Sequence, residues 1–224
     1  MSLLKSVGLL GGTGDLGTAL AIHLARHYDR ILLGSRDKSK AEITIREIVS
    51  EKGDRGYLSH LLASENTEVA RQCDLIIATI PHTNAVQTIE SLVESFRGGQ
   101  VLISAVAPIV KSGDEFFPDL DATSISERIE TIVPKSVKVA TAFQTVPANV
   151  LYKERDISSD VLVACNELET YVSVADLVTK VEGLRPLYLG SLKLSRYIED
   201  LTSMILNIGL KNKLKSPTIK FNSF

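Results

Sequence analysis

The stretch Leu9-Leu10-Gly11-Gly12-Thr13-Gly14-Asp15-Leu16-Gly17 decides how the rest of this chain is read. It joins the apolar run Val7–Leu10 to a segment in which Leu16, Ala19, Leu20 and Leu24 recur at helical spacing. A strand therefore enters a G-x-G-x-x-G turn and leaves it as a helix. In that context each glycine has a task. Gly12 permits the tight turn, Gly14 lets a pyrophosphate approach backbone N–H groups at the positive end of the helix, and Gly17 lets helix and strand pack closely. Gly12, Thr13, Gly14, Asp15 and Leu16 are thus candidate dinucleotide contacts, and a glycine-rich turn without a ligand is the alternative.

From residue 7 onward, short apolar runs alternate with longer segments of helical period, the pattern of a parallel sheet covered on both faces. After Val7–Leu10, strands are expected at residues 31–34, 75–80, 101–106, 137–141 and 161–165. Helices are expected over 38–52, 65–72 and 84–96, from about Ser124, and from Leu192 to about Lys211, with Asn66 and Asn84 as candidate N-caps. Residues 110–123, with Gly113, Pro118 and three aspartates, read as an insertion loop. The pattern loosens after Pro147. The fold class expected is α/β: a Rossmann-type, doubly wound, mostly parallel sheet in residues 1–147, with a small C-terminal α+β lobe in residues 148–224.

The end of the second strand carries the next piece of chemistry. A fold that binds NAD places Asp or Glu there, about 20 residues after the glycines, against the ribose 2′-hydroxyl. This chain reads Gly34-Ser35-Arg36-Asp37-Lys38-Ser39-Lys40. A carboxylate would repel a 2′-phosphate, whereas an Arg fork and a Ser hydroxyl would bind one, so NADP(H) is expected over NAD(H). Asp37 opposes that reading unless it serves the helix that follows as an N-terminal charge.

Composition narrows the class further. The chain has 224 residues, 44% apolar, with 25 basic against 27 acidic side chains and a formal charge of −2. That balance points to a globular chain and away from nucleic acid as a general partner. No apolar run approaches the roughly 20 residues of a membrane span, and no signal segment is evident, so a cytoplasmic protein is expected. Cys73 and Cys165 show no ligand spacing and read as small buried apolar residues, so no metal is expected. His23 and His27 read as a solvated helix face. Of the four histidines only His82, after Ile80-Pro81 at a strand's carboxyl end, falls where ligands bind in open α/β sheets, and it is the histidine that could serve in catalytic proton transfer.

Taken together, the glycine stretch, Gly34-Ser35-Arg36 with Lys40-Ala41-Glu42, and Cys73-Asp74 leading to Thr79-Ile80-Pro81 resemble the NADPH-dependent reductases of coenzyme F420. The likeness continues through Thr145-Val146-Pro147-Ala148, Gly183-Leu184-Arg185-Pro186-Leu187, Ser195-Arg196, Leu201-Thr202 with Ile205-Leu206-Asn207-Ile208, and Ile219-Lys220-Phe221. The resemblance implies a Rossmann domain with a small C-terminal lobe, a homodimer, and hydride exchange between NADP(H) and the 8-hydroxy-5-deazaflavin coenzyme F420. It implies that Thr13, Ser35, Arg36 and Lys40 hold the 2′-phosphate and that Thr79, Ile80 and Pro81 flank the nicotinamide. The deazaflavin would lie beyond, against the turn at Ala107, against Gln144, Val146 and Pro147, and against the last helix around Met204 and Asn207. Its anionic tail would follow a basic track from Lys193 to the end of the chain, made of Lys193, Arg196, Lys211, Lys213, Lys215 and Lys220 against Glu199 and Asp200.

Two positions depart from the family pattern. Gln144 stands where His is expected, and Ser104-Ala105-Val106-Ala107-Pro108 has one proline fewer than expected. No protein acid or base is required by this reading, because the deazaflavin disperses charge over its own ring. Two other readings stay open: an imine or carbonyl reductase using His82 or Tyr197 as proton donor, and a non-catalytic NADP-binding sensor.

Overall fold

A computed structural model describes residues 6–119 and 123–223. The first half alternates strand and helix: β1 (Val7–Leu10), α1 (Asp15–Leu24), β2 (Ile31–Ser35), α2 (Lys38–Lys52), β3 (Leu61–Glu65), α3 (Asn66–Gln72), β4 (Leu75–Ala78), α4 (His82–Ser91) and β5 (Val101–Ser104). A hairpin of β6 (Ile109–Ser112) and β7 (Glu115–Pro118) interrupts the alternation, followed by α5 (Ile125–Ile132), β8 (Lys138–Thr141) and the short α6 (Ala148–Tyr152). The chain closes with β9 (Ser159–Cys165), α7 (Leu168–Thr179), β10 (Leu184–Gly190) and α8 (Ser195–Asn212).

All four residues of β1, β4 and β5 are buried, which requires a sheet covered on both faces. Strand periodicity divides neighbouring residues between two cores: Leu9, Leu33, Ile77 and Ile103 pack with Leu20, Leu24 and Ile48 on one side, whereas Leu10, Leu32, Ile76 and Leu102 pack with Val69, Ile89 and Ile129 on the other. The eight strands run in the order β10-β9-β8-β5-β4-β1-β2-β3. The β8–β9 pairing is antiparallel and the other pairings in this sheet are parallel. The chain winds outward from β1 through β2 to β3, then returns to β4 on the opposite side of β1. The crevice at the carboxyl ends of β1 and β4 is therefore the topological switch point, where ligands of open α/β sheets bind.

Several expected details differ. Strands β3 and β10 and the β6–β7 hairpin were not expected as strands. β3 and β10 form the two edges of the sheet, where solvent-facing positions break the apolar run by which buried strands are recognised. The hairpin occupies most of the expected insertion loop and turns through Gly113 at φ +57°, while residues 120–122 of that loop lie outside the described residues. Neither Asn66 nor Asn84 caps a helix: the N-caps are Glu65 and Pro81, so both asparagines sit inside the first turn. Residues after Pro147 contribute β9 and β10 to the same sheet, so the last third is bound to the rest by strand pairing as well as by helices.

Candidate active site

The glycine turn follows β1 directly at the switch point. Gly11, at φ +65°, carries the left-handed backbone, so the tight turn belongs to Gly11 rather than to Gly12 as expected. Gly12 is wedged instead: a Cβ there would lie 2.8 Å from Leu33 Cδ1. Its N–H donates to the Gly34 carbonyl at 2.8 Å, tying β2 to the turn. A Cβ on Gly17 would lie 2.5 Å from the Gly12 carbonyl oxygen, which is the close helix–strand packing expected of it. Gly14 differs, because a Cβ there would find nothing nearer than 3.8 Å. Gly14 is the N-cap of α1 and is exposed, so the unpaired first-turn N–H groups open onto free space.

Two side chains distant in sequence pin this turn. Thr79 donates its hydroxyl to the Leu10 and Gly11 carbonyls at 3.1 and 3.2 Å, and Asn66 Oδ1 accepts the Gly11 N–H at 3.1 Å. Asn66 is buried and does not serve as the cap its sequence position suggests; an asparagine opening a helix looks alike in sequence whether it serves the helix or a loop across the sheet. Around this turn lies a cleft of about 210 Å³ lined by Gly11, Thr13, Gly14, Ser35, Arg36, Lys40, Asn66, Thr79, Ile80, Pro81, Asn84 and Thr88. Asp37, the residue that opposed a 2′-phosphate, caps α2: its Oδ1 accepts the Ser39 N–H at 2.8 Å, and bonds from Ser39 hold its carboxyl below the usual range. Leu16 packs against the core, and Ala107 sits half-buried after β5; neither lines the cleft, nor does the buried Gly12.

On the other side of the turn a groove of about 780 Å³ runs along α8. Asp15, Gln144, Val146, Pro147, Ile205, Leu206 and Lys213 are among its lining residues. Gln144 is 6% exposed and its Nε2 donates to the Ser104 carbonyl at 2.8 Å and to Thr141 Oγ1 at 2.5 Å. A carbonyl only accepts, so the amide nitrogen must face Ser104 and the oxygen must face away. That Oε1 is buried and has no hydrogen-bond partner among the described residues.

The other expected contacts are elsewhere. Met204 is 51% exposed and outside the groove lining. Asn207 clips the hairpin, accepting the Phe116 N–H at 2.9 Å and donating to the Phe116 carbonyl at 2.6 Å; Phe116 in turn lines the groove. Arg196, ion-paired with Asp200 at 3.2 Å, lines a separate cavity of about 180 Å³ with His82, Asp119 and Glu199. His82 Nε2 lies 3.8 Å from Asp119 Oδ2 there, while Tyr197 is 70% exposed on α8. Glu199, read in sequence only as a charge set against the basic track, is buried with its carboxyl accepting the Ile125 and Ser126 N–H groups at 2.8 and 3.0 Å. Burial pushes its pKa up, and it braces the start of α5 against α8.

His23 is not solvated: it is buried, with Nε2 3.0 Å from the Leu151 carbonyl, whereas His27 lies exposed beyond the helix end. Cys73 and Cys165 are buried free thiols, pushed by burial to about 12 and about 11.

A doubly wound sheet whose glycine turn opens at the switch point defines a Rossmann-type dinucleotide-binding fold. Residues 6–108 match the family described as NADP oxidoreductase, coenzyme F420-dependent. The F420-dependent NADP reductase of Methanocaldococcus jannaschii is 32% identical over 97% of this chain and 98% of that protein. Its counterpart from Methanothermobacter marburgensis is 28% identical, again over 97% and 98%. A crystal structure of a candidate F420-dependent NADP reductase from Arthrobacter sp. FB24 superposes with a TM-score of 0.82 at 17% identity, covering 98% of this chain and all of that one, a likeness of fold. The chain belongs to the family of F420-dependent NADP reductases.

Proposed function

We propose that this protein transfers a hydride between NADP(H) and coenzyme F420. The observation that carries the reading is that the cleft and the groove open on either side of one turn: Thr13 and Gly14 line the cleft, and Asp15, next in the chain, lines the groove. A dinucleotide in one and a flat co-substrate in the other would come together beside that turn. Gly14 leaves room for a pyrophosphate, and Ser35, Arg36 and Lys40 would hold the 2′-phosphate. Thr79, Ile80 and Pro81 would bear on the nicotinamide; Gln144, Val146 and Pro147 would bear on the deazaflavin, with Gln144 Oε1 accepting from it.

When bound, the two coenzymes supply the redox chemistry, hydride donor on one ring and charge-dispersing acceptor on the other. The chain's own residues orient the rings and exclude water. Neither Thr79–Pro81 nor Gln144–Pro147 contains a group that moves protons at neutral pH, so the catalytic contribution is positioning. An imine or carbonyl reductase finds less support, because His82 lines a different cavity and Tyr197 points to no cleft described above. The division of labour proposed is an NADP-binding part in residues 1–147 and a deazaflavin side in residues 148–224. We also propose a homodimer through exposed Met204 and Ile208 on α8 and Phe117 on β7, in the cytoplasm. No described helix is long and apolar enough to cross a membrane.

Mixing the protein with NADPH and oxidised F420 should bleach the visible absorbance of the deazaflavin. Tight NADPH binding without bleaching would overturn the proposal and leave a sensor. NADPH consumption with a cyclic imine but not with F420 would leave an imine reductase.

A further inference from the structure

Helix α6 is five residues long, and a helix that short has little stability of its own, so its place is set by what holds it. One end faces the groove: Pro147, its N-cap, lines the groove with Ala148 and Asn149, and the Val150 and Leu151 N–H groups donate back to the Pro147 carbonyl at 3.0 and 3.2 Å. The other end leads to Glu154. This residue stands at φ 51°, a left-handed backbone that is strained for any residue but glycine and persists where its surroundings impose it. Its carboxylate, 14% exposed, accepts from Arg55 Nη1 on both oxygens at 2.7 and 2.8 Å, from Arg26, and from the Tyr57 hydroxyl at 3.3 Å, and Lys52 Nζ stands 3.5 Å away. Burial pushes this carboxyl up, but Arg55, Arg26 and Lys52 outweigh burial and hold it below the usual range, so it is charged at neutral pH. Lys52 also donates to the Tyr152 carbonyl, and Tyr152 donates its hydroxyl to Glu51 at 2.7 Å.

The three cations come from the far ends of the two helices that start at the nucleotide cleft. α1 begins beside Gly14 and ends two residues before Arg26; α2 carries Lys40 in its first turn and ends at Lys52, three residues before Arg55. We propose that Glu154 is a positioning residue: by gathering Arg26, Lys52 and Arg55 it fixes α6 against α1 and α2, and so sets where Pro147, Ala148 and Asn149 stand as a wall of the groove. What the groove holds rests on the deazaflavin reading above. A lone exposed ion pair would do little, but here one largely buried carboxylate separates three cations. Without its charge they repel one another and leave the end of α6 unheld. The two ends of α6 are only about 7.5 Å apart, so a displacement at Glu154 reaches the wall.

The test compares wild type, Glu154→Gln and, as a control, Glu68→Gln, which breaks the exposed ion pair with Arg71 on α3. Amide hydrogen exchange is measured without ligand, and F420 and NADPH are titrated separately by fluorescence. Glu154→Gln should exchange faster in residues 147–153, bind F420 roughly tenfold more weakly, and bind NADPH as wild type does. Removing a carboxylate makes the protein more positive, which by itself favours the polyanionic F420, so a weakening has the sign of a displaced wall and not of altered charge. Glu68→Gln should match wild type in every measurement. Unchanged exchange in residues 147–153, faster exchange with undiminished F420 affinity, or equal weakening of both coenzymes would overturn the positioning role. A wild type that binds no F420 would overturn the function proposed above and the positioning role with it, while the exchange measurement still reports whether Glu154 holds α6.

Discussion

Replacing Gly14 or Gly17 by Ala adds the same methyl group three residues apart, yet the two variants should fail in different ways. At Gly14 the new Cβ meets nothing within 3.8 Å, and the residue's φ of −84° suits any amino acid. Ala is a poorer N-cap than Gly, a cost of about 0.5–1 kcal/mol, but it restricts the unfolded chain, a gain of about 0.4–1 kcal/mol. These offset, so Gly14→Ala should melt within about 1 kcal/mol of wild type. The methyl group occupies the approach to the α1 N–H groups, and NADPH should bind at least about tenfold more weakly, equivalent to 1.4 kcal/mol. At Gly17 the Cβ would lie 2.5–2.7 Å from Gly12 backbone atoms, and neither β1 nor α1 can withdraw without disturbing both cores. Overpacking of that kind costs about 1–3 kcal/mol, or roughly 2–12 °C in Tm for a chain of this size. The assay is thermal unfolding with and without NADPH at a hundred times the wild-type Kd, which should raise stability by about 2.7 kcal/mol in wild type and by half of that or less in Gly14→Ala. A Gly14→Ala protein that keeps the full NADPH shift, or that melts as early as Gly17→Ala, would refute the assignment of open space at Gly14 to a pyrophosphate.

Three further outcomes are expected. Ser35→Ala with Arg36→Ala should reduce the ratio of NADPH to NADH efficiency by the equivalent of about 1–3 kcal/mol, read from kcat/KM with each nucleotide. Asn66→Ala strands the Gly11 N–H beneath the turn and should cost about 1–3 kcal/mol in denaturant unfolding. Asp160 is buried, accepts both arms of Arg185 at 2.7 Å and the Phe221 N–H at 2.6 Å, and Arg185 foremost holds its carboxyl below the usual range. A lowered carboxylate stabilises the fold above its unfolded value of about 3.9 and loses that contribution as pH falls through the folded value. Asp160→Asn should therefore lower the Tm at neutral pH and begin to converge on wild type only as pH falls below about 3.9, as followed by melts across an acid series.

Sequence by itself determined whatever is carried by short-range period and spacing. The alternation of apolar runs with helical segments specified a parallel sheet, and the glycine spacing between β1 and α1 located the ligand turn, because both signals arise within a dozen residues. Ser35 and Arg36 were legible for the same reason: one ends and the other immediately follows a strand whose residues are all buried. Asp37 was ambiguous until its bond to Ser39 assigned it to α2. Tertiary structure alone decided everything that depends on which surfaces meet. The edge strands β3 and β10 lack a two-faced apolar pattern because one of their sides has no partner strand, so their membership in the sheet follows from pairing. Asn66 reaches Gly11 across 55 positions, Gln144 reaches Ser104 across 40, and Glu199 reaches Ile125 across 74, contacts with no local signature. The cations of α8 and the residues after it form a single run in sequence. Arg196, on α8, lines one cavity, whereas Lys213 and Lys215, past the left-handed end of that helix, line the groove, because only packing fixes which way a helix and the chain leaving it face.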